Sequence, residues 1–60
     1  MIFENIKELA EKKGFTIAEL ERTAGFQNGT IGKWKNHSPL VANLEKVAKV
    51  LGVPVSRLLK

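Results

Sequence analysis

The stretch GFQNGTIGKWKN, residues 25–36, decides how the whole chain folds. Read locally, Asn28-Gly29 is a strong turn signal. Both residue types tolerate positive φ, and the pair would suit a two-residue hairpin. Read by spacing, Ile31 and Trp34 stand three apart, which suits a helix. Gly29 and Gly32 oppose that helix, each costing about 1 kcal/mol relative to alanine in a helix interior. A hairpin needs alternating strands on both sides. Upstream stands only Thr23-Ala24-Gly25-Phe26, which contains a helix stop. Downstream, alternation would part Ile31 from Trp34. A helix instead sets both large apolar residues on one core and turns Asn28, Gly29, Gly32, Lys33 and Lys35 outward. The pattern therefore predicts a helix that starts at Gln27 or Asn28 and accepts its glycines for a close approach from outside.

Upstream, a complete start signal precedes this stretch. Thr16-Ile17-Ala18-Glu19 fits a capping box, with Phe15 before the cap and Leu20 at the fourth helical position as a hydrophobic staple. Ile17, Leu20 and Ala24 continue one face until Gly25 stops the helix. Earlier still, Ile2, Ile6, Leu9 and Ala10 share a helical face. Glu8 and Lys12 pair at i,i+4 on the outer side, and Gly14 ends the segment. Downstream, Val41, Leu44, Val47, Ala48 and Leu51 mark another helix, stopped by Gly52. Pro54 then opens a last short turn carrying Val55, Leu58 and Leu59. The expectation is an all-α fold of five short helices in one domain over residues 1–60, with no strand.

Composition narrows the function. With 60 residues the chain has no room for a deep catalytic cleft. It has no cysteine and one histidine, His37, so no metal cluster is expected. No acid–base pair or nucleophile–base pair stands out, which argues against an enzyme; no cofactor is implied. No apolar run approaches the length of a membrane span, and the chain reads as cytoplasmic. Ten Lys and Arg against six Asp and Glu give a net charge of +4 and a pI near 9.8. That balance favours a polyanionic partner, although a merely basic soluble surface reads the same way.

Two short helices joined by Gly25-Phe26-Gln27 match the helix-turn-helix plan. With TIAELERTAG, TIGKWKN, a proline and LEKVAKVLGV in order, the chain resembles the Cro/repressor-type (Xre-like) helix-turn-helix family. Leu20, Gly25, Ile31, Trp34, Asn36, Leu44, Ala48, Leu51-Gly52-Val53 and Leu58-Leu59 all fall on its pattern. The resemblance runs from about Ile6 to Leu59, with the motif at about 16–36. It implies a lambda-repressor-like fold that binds double-stranded DNA, as a small transcriptional regulator of repressor type. Two positions depart from the family. Ile17 stands where a phosphate-touching Gln is common, and Glu21 stands where a small residue is common. A charge at Glu21 must turn outward or find a partner. The loop Asn36-His37-Ser38-Pro39 is also shorter than usual.

By this resemblance the second motif helix presents Gln27, Asn28, Gly29 and Lys33 to base edges. Asn suits a bidentate bond to adenine and Lys suits guanine. Asn28 reads equally as a helix cap, and Gly29 as a glycine tolerated in a frayed first turn. Candidates for the sugar-phosphate backbone are Thr16, the N–H of Ile17, Thr30, Lys35, Asn36, His37, Ser38 and Asn43. Thr16 serves first as a cap, and a lone loop histidine also reads as plain solvated surface. Trp34 is expected in the core rather than as a platform for bases, with Phe3, Phe15 and Phe26 beside it. Lys7, Glu8, Lys12, Lys46 and Lys49 read as solvated surface. Such domains usually bind as two-fold homodimers on half-sites roughly 34 Å apart. The family's dimer contact points to Val53, Pro54, Val55, Arg57 and Leu58. A protein-binding use of the same fold, as an antitoxin-like or adaptor module, is the alternative; basic Lys33 and Lys35 favour DNA.

Overall fold

A computed structural model describes residues 2–59. Its order is α1 (Ile2–Lys12), α2 (Ile17–Ala24), a 3₁₀ helix (Gly32–Lys35), α3 (Val41–Leu51) and α4 (Ser56–Leu59). The expectation of five helices is corrected: four are α-helical and the motif's second element is a four-residue 3₁₀ helix. No strand occurs among the described residues.

Each element starts and stops for a local reason. The capping box of α2 closes as expected. The Glu19 N–H donates to Thr16 Oγ1 at 3.1 Å, and the Thr16 N–H donates to Glu19 Oε1 at 2.9 Å. At its other end Gly25 takes a left-handed φ of +83°. Its N–H returns to Arg22 O, and the Phe26 N–H returns to Glu21 O, so the last carbonyls are satisfied and the chain turns. Residues after α1 and α3 return in the same pattern, at Gly14-Phe15 and Gly52-Val53.

The core is one cluster: Ile6, Leu9, Ala10, Leu20, Ile31, Trp34, Leu44, Val47, Ala48, Leu51 and Leu58. Every element contributes to it. α1 packs against α4, the 3₁₀ helix and α2, while α2 packs against α3. Full burial of a Leu or Ile side chain contributes about 1.5–3 kcal/mol, so this shared cluster is what keeps such short helices folded. Phe3, Phe15 and Phe26 pack half-buried at its edge, and Trp34 lies inside it, as spacing predicted. Val41 and Leu59 break the pattern. Val41 opens α3 and Leu59 ends α4, and both are mostly exposed, at 66% and 56%. The first and last helices are tied by a hydrogen bond from Asn5 Nδ2 to Leu58 O at 3.1 Å.

Candidate nucleic-acid interface

The motif turns on residues 27–36, and here the structure corrects the predicted helix. The Thr30 N–H donates to Gln27 O at 3.2 Å, closing a turn over 27–30. Gly29 has φ +88°, while among the described residues no non-glycine has positive φ. Those signs at Asn28 and Gly29 are the signs of a type II turn, which requires glycine at its third position. The Asn28-Gly29 signal therefore operates, but as a turn into a helix rather than a hairpin. The 3₁₀ helix follows, with Trp34 N–H returning to Ile31 O at 2.9 Å. A 3₁₀ helix repeats every three residues, so Ile31 and Trp34 still share one face. Both are buried.

Glu21 explains why the turn forms. It is 3% exposed, on the inner side of α2. Its Oε1 accepts from the Gly29 N–H at 3.1 Å, and its Oε2 from the Ile31 N–H at 2.7 Å. The charge has found its partners in backbone donors across the motif, which satisfies a buried carboxylate. The cap on the second motif element is thus a carboxylate from α2. Neither Gln27 nor Asn28 supplies it, and the side chain of Ile31, at the start of the 3₁₀ helix, makes no cap bond.

Three of the expected base-reading residues lie on this turn and the fourth, Lys33, in the 3₁₀ helix after it. Gln27, Asn28, Gly29 and Lys33 are all exposed. The Lys33 N–H donates to Gly29 O at 3.2 Å, which fixes Lys33 one turn beyond Gly29. Thr30 is half-buried. A Cβ built on Gly29 or Gly32 meets nothing within 4 Å, so both lie against open space.

The expected backbone contacts divide. Thr16 is exposed and occupied by its capping box. Ile17 packs half-buried against the core at the start of α2. Lys35, Asn36, His37 and Ser38 are exposed and line a groove of about 320 Å³ with Ile2, Trp34, Pro39 and Leu59. The Lys35 ammonium lies 4.9 Å over the Phe3 ring, which draws it toward α1. Asn43 lies half-buried in the first turn of α3. Of the expected dimer contacts, Pro54 and Arg57 are exposed and Val53 and Val55 half-buried. Leu58 is fully buried in the core, so its side chain is not available to a second copy.

Two contributions escaped the sequence reading. Lys46 was assigned to solvated surface, yet its ammonium stands 5.9 Å over the Phe26 ring. Phe26 in turn meets Trp34 edge to face at 5.9 Å. Asn5 was not singled out at all. Its partner lies 53 residues away, and no local pattern signals such a bond.

The profile of the helix-turn-helix family matches residues 6–58. No curated protein and no solved structure matches the chain significantly.

Proposed function

The chain belongs to the Cro/C1-type helix-turn-helix family of DNA-binding regulators, and on that footing we propose that it is a small transcriptional repressor. The segment 27–33 enters the major groove. Asn28 and Lys33, with Gln27, read base edges, while Lys35 and the N–H groups at the start of α2 meet phosphates. Occupancy of the operator then blocks polymerase. One observation carries this reading: Gln27, Asn28 and Gly29 on the turn and Lys33 in the 3₁₀ helix that follows are all exposed, while Ile31 and Trp34 of the same segment are buried. A net charge of +4 supplies the general attraction to a polyanion. The protein acts as a homodimer on DNA, meeting its copy through Val53, Pro54, Val55 and Arg57, and binding rather than catalysis is its role.

Selection of bound duplexes from a random library tests this directly. The expected result is an enriched motif with two related half-sites and affinity that falls steeply with salt. No enriched sequence together with flat salt dependence would end the DNA reading. It would favour the second reading, a protein-binding module, which draws on the exposed apolar surface of Leu40, Val41 and Leu59.

A further inference from the structure

The part of the molecule that shapes the motif's turn lies outside the residues expected to touch DNA. Glu21 reaches from α2 across the helix-turn-helix and places one carboxylate oxygen on the Gly29 N–H and the other on the Ile31 N–H. We propose that Glu21 is a positioning residue for base selectivity: its carboxylate holds the left-handed turn at Gly29 and so sets the angle at which Asn28 and Lys33 face outward. The inference rests on the DNA-binding reading above.

Three observations support it. The N–H groups of Gly29 and Ile31 are taken by Glu21, and that of Thr30 between them is taken by Gln27 O. These three donors are therefore spent inside the protein. A phosphate has no free N–H to claim from these three residues, so discrimination must come from where the turn aims its side chains. Next, nothing stands within 4 Å of a Cβ at Gly29, so no neighbouring atom forces its left-handed backbone, whereas the two Glu21 hydrogen bonds span it while Ile31 and Trp34 anchor the segment behind. Finally, the carboxylate is buried at 3% exposure, and a buried charge keeps its place only while both oxygens are filled. A Gln of the same size has one acceptor, and its amide would set an N–H against an N–H.

The test is Glu21→Gln in the full chain, with two readouts. Without DNA, the amides of Gly29 and Ile31 should exchange hydrogen about tenfold faster, while those of Leu20 and Val47 stay within about twofold. With DNA, the ratio of affinity for the wild type's selected duplex over a random duplex should fall about tenfold, with random-duplex affinity held within about twofold. Equal loss on both duplexes, or an unchanged ratio, overturns the inference while leaving the DNA reading intact. A wild type with no preferred duplex fails that reading and takes this one with it. If Glu21→Gln has no cooperative melt, Glu21→Asp keeps the carboxylate but shortens its reach to the Gly29 and Ile31 N–H groups, and it touches no residue expected at the bases. It should lose selectivity in the same way, and full selectivity in that variant overturns the inference.

Discussion

At Gly29 the backbone holds φ +88°, a region that costs an L-residue about 1–2 kcal/mol. Gly29→Ala should therefore destabilise folding by about that amount in a urea melt. Gly32, three residues on, is different. It sits in the 3₁₀ helix at negative φ with open space around its Cβ position. Gly32→Ala should leave stability unchanged or raise it by about 0.4–1 kcal/mol, because the unfolded chain loses freedom. If Gly32 faces the groove wall, the same variant should weaken specific DNA binding. Stability kept and affinity lost would place it at the interface; affinity kept would remove it. Glu21 is the third decisive residue. Glu21→Ala leaves the part-buried Gly29 N–H and the buried Ile31 N–H without their acceptor and should cost about 1–3 kcal/mol in the same melt.

Among the elements, α2 is the one whose start is best specified by its own sequence. The Glu19 carboxyl is held below its ordinary value of 4.5, chiefly by the Thr16 backbone N–H, then by the Thr16 hydroxyl, with Arg22 adding a smaller pull. A depressed folded value means Glu19 stabilises the fold in its charged form. That contribution is present above the unfolded value and is lost as pH falls through the lower folded one. The melting-temperature difference between wild type and Glu19→Gln should therefore shrink toward zero as pH drops below about 4.5. A difference that persists in acid would show that the box acts without the charge. The 3₁₀ helix is the opposite case. Its four residues form a single short turn, and it owes its position to Glu21 on one side and to the burial of Ile31 and Trp34 on the other.

The molecule as a whole is held by one core, with its first and last elements joined at Asn5 and Leu58. A chain this small is stable by only on the order of 5 kcal/mol. Leu58→Ala removes a fully buried side chain and should cost about 2–5 kcal/mol, enough to unfold much of the population at physiological temperature. No helix of the described residues is long and apolar enough to cross a membrane. Charge acts at this scale too. Lys33 is free to extend from the motif's turn, while the Lys35 ammonium rests over Phe3. Lys33→Ala should change base preference, and Lys35→Ala should lower affinity more evenly across sequences and make it less dependent on salt. A matched shift in preference for both variants would show that the two lysines share one role.

Sequence alone determined the all-α class, the four α-helices, the glycine stops of the first three, the capping box and most of the core. Each of these depends on contacts within a few residues or on a periodic face, so local pattern contains the information. Spacing could not distinguish an α-helix from a 3₁₀ helix at residues 31–34, because both put positions three apart on one side. The turn at Asn28-Gly29 was legible as a signal, but its outcome depended on a residue eight positions upstream. Glu21 was visibly out of place in sequence, and only the packing of α2 against the motif supplied its partners. Asn5 and Lys46 were hidden for the same reason: each acts on a residue that folding, not sequence, brings near. Tertiary structure thus decided the shape of the motif's turn, since a buried carboxylate must be satisfied and the Gly29 and Ile31 N–H groups satisfy it.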